Sequence, residues 1–151
     1  MSERILGRSL VGAQFVCLAV ALWPFAPWHA SALGIVLVGA GVALAAWTLT
    51  FNRPGNFNIQ PEVKRNARLI VSGPYAYVRH PMYSALILLV CGVVALHLDW
   101  INAAATIALV AVLAVKTVVE ETRLEDAFDD YQSYASGVGR FVPSLYRRHP
   151  T

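Results

Sequence analysis

SALGIVLVGAGVALAAWTLTF, residues 31–51, contains no charged side chain and no proline. At a rise of about 1.5 Å per residue, such a run crosses a hydrocarbon core of roughly 30 Å as one α-helix. Nothing in the sequence argues more strongly for a membrane-spanning chain. Gly41 and Ala45 form a small-xxx-small pair within it, the pattern that lets a second helix approach closely.

The composition agrees. Of 151 residues, 57% are hydrophobic and 14% charged, with a mean hydropathy of +0.54. The charges collect between apolar runs, as in a polytopic membrane protein, and the length suits one domain over 1–151. Cys17 and Cys91 lie inside apolar runs and read as small hydrophobes rather than as a disulfide or metal pair. The first run follows Arg4 and Arg8 without a clear small-residue cleavage site, so it reads as a retained anchor.

Working outward, Ser9 to Pro27, Met82 to Leu98 and Ile101 to Val119 are three further candidate spans. The first two spans are joined by a tight Trp28-His29-Ala30 connection. Asp99-Trp100 makes so short a turn that the last two should form a helical hairpin. From Glu120 onward, Leu124, Ala127, Phe128, Tyr131 and Tyr134 recur at helical spacing, while Glu121, Glu125, Asp126 and Asp129 take the other face. The expectation is an all-α polytopic protein of about four transmembrane helices. An amphipathic C-terminal helix continues the fourth and ends at Gly137 and Gly139. Lys and Arg gather at the amino end, in the loop 52–80 and in the carboxyl region. The positive-inside rule therefore predicts a cytoplasmic location for both termini and that loop.

Between the second and third runs stands GPYAYVRHPMY, residues 73–83. Pro74 and Pro81 interrupt helix, and Pro81 suits the first turn of a new one. Tyr75, Tyr77 and Arg79 exceed what a connector needs; they fit either an interfacial anchor or a site. Lys116, Glu120 and Arg123, spaced by four and three, share one helix face. A lysine inside a span is a functional candidate, although near a span's end it can also snorkel to the headgroups. His80 with Glu120 or Glu121 makes a poor metal site without a third ligand at proper spacing, so no metal is expected. Neither a dinucleotide fingerprint nor a nucleophile elbow is present, and the basic loop fits phosphate headgroups better than nucleic acid.

Gly73-Pro-Tyr-x-x-x-Arg-His-Pro-x-Tyr83 is followed after two spans by Glu120-Glu121-x-x-Leu124-x-x-x-Phe128-x-x-Tyr131-x-x-Tyr134 and Val138-x-Arg140-x-x-Pro143. Over roughly residues 55 to 143, this order resembles the integral-membrane isoprenylcysteine carboxyl methyltransferases and phospholipid methyltransferases. The resemblance implies S-adenosylmethionine as methyl donor, with S-adenosylhomocysteine as product. By position it implies donor contacts from Gln60, Ala67, Arg68, Leu69, Ile70, Tyr75, His80, Pro81, Met82, Tyr83 and Glu120. Lys116 falls where the family faces a basic residue to the methyl acceptor, so Lys116 and Glu120 are the catalytic candidates. Two positions depart from the pattern: Ala67 stands where His is common, and Asp129 replaces the usual Gly after Phe128. A carboxylate on a lipophilic acceptor is the favoured substrate, because it is already ionised at neutral pH whereas an amine must first lose a proton. The alternatives are N-methylation of a phospholipid amine, an NADPH-dependent reductase of the sterol-reductase type, and a catalytically silent membrane scaffold. The expected partners are the lipid bilayer and a lipophilic small molecule or lipid.

Overall fold

A computed structural model describes residues 3–51 and 69–144. Five α-helices occupy them: α1 Glu3–Ala21, α2 Ala32–Phe51, α3 Pro81–His97, α4 Trp100–Ala127 and α5 Tyr131–Gly137, with a 3-10 turn at Gly73–Ala76. Among the described residues the only β pairing is an isolated parallel bridge between Val78 and Gly139. Helices α2 and α4 are long and apolar enough to cross a membrane, while Ile5–Ala21 and Pro81–His97 are shorter apolar helical segments. Most of the apolar surface of α2 and α4 faces outward, including Leu33, Ile35, Val36 and Val42 on α2 and Ile107 on α4. A buried helix of a soluble core would hide these side chains.

The first helix lies six residues earlier in the chain, at both ends, than the expected Ser9 to Pro27. Its C-terminus is fixed from outside: Asn102, fully buried, donates from Nδ2 to the carbonyls of Val20, Ala21 and Trp23 at 3.2, 2.9 and 2.8 Å. One amide thereby satisfies carbonyls left open by the helix end. The tight connection at Trp28 is instead an irregular segment from Leu22 to Ser31. It is pinned to the end of α3 by His29 N–H to Leu96 O at 2.7 Å and by His97 Nδ1, which donates to Ala26 O at 2.8 Å.

The α3–α4 turn is as short as expected. Leu98 takes the left-handed conformation at φ 48°, and Asp99 caps α4 by accepting from Ile101 N–H at 2.8 Å and Asn102 N–H at 3.4 Å. These neighbours nonetheless choose other main partners: α3 packs chiefly on α2, and α4 on α1. Glycine decides the first choice. A Cβ on Gly41 would lie 2.9 Å from the carbonyl oxygen of Ala85, and one on Gly92 would lie 2.8 Å from the amide nitrogen of Val38. A Cβ on Gly34 would come within 3.0 Å of Gly92 O. Backbones meet directly along this seam, and Gly34 shares it with Gly41, because seven residues make about two turns and return to the same face. Ala21, Val90, Leu109 and Leu113 close the core where α1, α3 and α4 meet.

The chain runs up and down, so α2 ends, α3 begins and α4 ends at one pole. Tyr83 and Glu120 touch there, and Gly73 abuts Phe51. The expected continuation of α4 as a single amphipathic helix is broken. Phe128 is extended at φ −137°, ψ 113°, and α5 starts after a turn at Asp129–Asp130. Glu125, Asp126, Asp129 and Asp130 crowd the negative end of the helix dipole, which opposes continuation. The break also swings α5 back onto the 3-10 turn, where Tyr134 Oη donates to Tyr75 O at 2.7 Å.

Close packing at the α2–α3 seam is testable. Gly41→Ala should destabilise the purified protein by about 1–3 kcal/mol through overpacking. Gly39→Ala, with nothing within 4 Å of its Cβ, should be neutral or stabilising by up to about 1 kcal/mol. Thermal melts in detergent that moved equally for both variants would contradict the seam.

Candidate functional site

Local backbone requirements build the polar pole. Gly73 has φ +62°, and a Cβ there would enter the Phe51 ring at 2.6 Å, so only glycine seats this turn against the end of α2. Pro74 is buried behind it. Residues 78–80 then run alongside residues 139–140: Arg79 N–H donates to Gly139 O at 2.8 Å, and His80 N–H to Arg140 O at 3.1 Å. Gly139 does more than end a helix, since a Cβ there would collide with the carbonyl oxygen of Val142. Ser84 Oγ secures the next residue by donating to Phe141 O at 2.7 Å. Pro81 opens α3, where its missing N–H costs no helix bond.

Glu121 lies at the centre of this framework. It is 6% exposed, contrary to its expected place on the polar outer face. His80 Nε2 donates to its Oε1 at 3.0 Å, and Arg140 grips both oxygens, from Nε at 3.0 Å and from Nη2 at 2.5 Å. Arg79 Nη1 stands 3.5 Å from Oε2. The two-pronged Arg140 contact is the stronger, geometrically selective kind. Around the clamp, burial pushes the phenols of Tyr75 and Tyr131 up to about 12, with the Glu121 charge adding to burial for Tyr131. Both therefore remain neutral hydroxyls at physiological pH.

Glu120, the neighbouring residue, makes a different set of contacts. Its Oε1 accepts from Tyr83 Oη at 2.6 Å, and His80 Nδ1 lies 3.6 Å from Oε2. The guanidinium groups of Arg79 and Arg140 go to Glu121 instead. The Tyr83 ring stacks against His80, with centroids 5.6 Å apart and planes 11° apart. One turn back along α4, Lys116 is 2% exposed, its Nζ lies 5.3 Å from the Tyr83 centroid, and it donates to Gln14 Oε1 at 3.0 Å. Lys116 does not snorkel outward; it points inward to α1.

Of the expected site residues, His80, Pro81, Met82, Tyr83, Lys116 and Glu120 come together at this pole, and Tyr75 joins them through Tyr134. Leu69 and Ile70 are half-buried just before the 3-10 turn. Gln60, Ala67 and Arg68 lie outside the described residues. Sequence reasoning missed the Glu121 clamp and Gln14. One signal was present: Thr106, Leu109, Leu113, Thr117 and Glu121 recur every three or four residues, so Glu121 continues the buried stripe of α4.

Removing one partner from a buried charge cluster leaves the others uncompensated, at a cost of about 3–5 kcal/mol. Glu121→Gln should therefore lower the melting temperature markedly, and Glu120→Gln much less. Equal shifts in ligand-free protein would contradict the clamp.

A profile of the phospholipid methyltransferases matches residues 28–131, most of the chain, including α2, the 73–83 segment, α3 and α4 with both glutamates. A 92-residue stretch is 34% identical to a cobalt-zinc-cadmium resistance protein, CzcN, of Cupriavidus metallidurans. It covers 58% of this chain and 42% of that protein, so the match spans less than half the length of that relative. By the family match, which joins the two outward-facing apolar helices to the motifs at their shared pole, the chain belongs to the phospholipid methyltransferase family, in the group that includes the isoprenylcysteine methyltransferases.

Proposed function

We propose that the chain is an S-adenosylmethionine-dependent membrane methyltransferase that esterifies the carboxylate of a lipophilic acceptor. The observation that carries this reading is the pairing of Glu120, a carboxylate held by the Tyr83 phenol, with the inward-pointing Lys116 one turn away. A sulfonium donor fits the first group: Glu120 offers negative charge, and Tyr83 and Tyr75 offer aromatic faces. S-adenosylmethionine supplies a methyl group already activated by the positive sulfur. The protein's share is alignment and exclusion of water.

Tyr83 fixes the Glu120 carboxylate through its hydroxyl. His80, held by Glu121, backs the Tyr83 ring. Lys116 orients the acceptor carboxylate by charge. With the donor bound, an acceptor oxygen would give a lone pair to the new O–C bond while the C–S bonding pair would stay on sulfur, turning the sulfonium into a neutral thioether. No general base is needed, because the carboxylate is already ionised. An amine acceptor beside the Lys116 ammonium would meet like charge, which weighs against N-methylation.

The same reading has all four apolar helices crossing the bilayer, with the polar pole cytoplasmic. Arg8, Arg79, Arg123 and Arg140 belong to that pole, whereas residues 22–31 and the Leu98-Asp99 turn contain neither Lys nor Arg. Trp23, Trp28 and Trp100, all exposed, ring the opposite end as interfacial tryptophans do. With 28 residues, α4 rises about 42 Å and reaches beyond the hydrocarbon, while the 17 residues of α3 rise about 25 Å and need slight local thinning.

Calorimetry on purified protein tests the donor. S-adenosylhomocysteine should bind, and Glu120→Ala should weaken it about tenfold or more, the scale of one charge-assisted contact. Absence of binding, or an affinity unchanged in Glu120→Ala, would overturn the reading. Binding of NADPH in its place would favour a reductase.

A further inference from the structure

From α1 we infer that Gln14 is a specificity-determining residue that, together with Lys116, receives the anionic oxygens of the acceptor, so that the first helix completes the acceptor site. The inference rests on the methyltransferase reading above. Gln14 is the one strongly polar side chain between Ser9 and Ala21, in a helix whose neighbouring residues Phe15 and Val16 face outward. A glutamine so placed is costly unless it is bonded. Its bond to Lys116 has a fixed sense: an ammonium only donates, so the amide oxygen must face it at 3.0 Å. The amide Nε2, with two N–H groups, is then turned elsewhere, and no described residue accepts from it.

Depth follows from helix geometry. The Asn102 contact to Ala21 sets a common level for α1 and α4. Lys116 lies about 21 Å along α4 from that level, and Gln14 about 10 Å along α1. Helical side chains lean towards their own N-terminus, so in this antiparallel pair Lys116 reaches down and Gln14 reaches up. They meet roughly 15 Å from that level, about the middle of a 30 Å hydrocarbon core. There a buried ammonium has one neutral acceptor, the face of Tyr83 and no described carboxylate within ion-pair range. Glu120, the carboxylate one turn along α4, is bonded to Tyr83, so the direct contacts of Lys116 leave room for an anion. Lys116 and the Gln14 amide together offer N–H groups to a two-oxygen acceptor, which a carboxylate on a lipid-soluble body satisfies and its ester does not.

Gln14→Glu separates contact from tethering. It keeps an oxygen for Lys116 while replacing the amide donors with a second anion. Full-length protein in detergent at pH 9 would be titrated with cis-parinaric acid and with its methyl ester, read by the fluorescence of the polyene. Wild type should prefer the acid at least tenfold, and Gln14→Glu should lose the preference while its affinity for S-adenosylhomocysteine stays within twofold. Gln14→Met, a neutral variant of similar size, should reduce the preference as well and serves if the charged variant fails to fold. Equal binding of acid and ester by wild type would overturn the inference. So would a full preference retained in either variant, which would leave Gln14 as a tether only. If wild type prefers the acid but binds no S-adenosylhomocysteine, the methyltransferase reading fails and the anion site stands.

Discussion

The buried carboxylate of Glu121 is the interaction on which the polar pole depends. Its partners come from chain segments far apart in sequence: Arg79 and His80 before α3, and Arg140 after α5. A carboxylate at this depth is tolerable only when such donors surround it, so the three segments must converge if α4 is to keep Glu121 inside. The backbone pairing of residues 78–80 with 139–140 is the hydrogen-bonded frame of the same convergence. Buried charge clusters specify an arrangement more than they add net stability, and here the specified object is the position of His80, the N-cap of α3.

Adjacent helix residues point about 100° apart, and that angle divides the labour of the two glutamates. Glu121 is consumed by the clamp; Glu120 turns to Tyr83 and retains capacity for a cationic ligand. One turn deeper, Lys116 lies over the Tyr83 ring and bonds Gln14 of α1. The proposed reaction has the same polarity, with a cationic donor near the polar pole and an anionic acceptor met from within the apolar core.

Much of this was legible in the residues. The uncharged run at 31–51 gave α2, and Asp99 with the following apolar run gave α4 to within one residue at its start. The 73–83 segment stood out because Gly73, Pro74 and Pro81 each meet a backbone demand. Other features depend on contacts that one-dimensional patterning does not hold. The end of α1 is set by Asn102, 81 residues away. The hairpin neighbours α3 and α4 favour other partners because Gly34, Gly41 and Gly92 admit direct backbone contact between α2 and α3. Polarity alone makes Glu121 read as solvent-facing, whereas its two arginines reverse that. The acidic residues around Phe128 oppose a continuous helix, but the docking of α5 onto Tyr75 that the break permits is a tertiary event. The resemblance supplies the proposed donor; the residues supply the proposed place.

The most direct test is an experimental structure of the protein with S-adenosylhomocysteine bound. The expected result is the ligand against Tyr75, His80 to Tyr83 and Glu120, with its sulfur directed towards Lys116 and the Glu121 clamp unchanged. A ligand seated away from Glu120, or bound only after Glu121 leaves Arg140 to contact it, would contradict the proposed division between a structural and a ligand-facing glutamate.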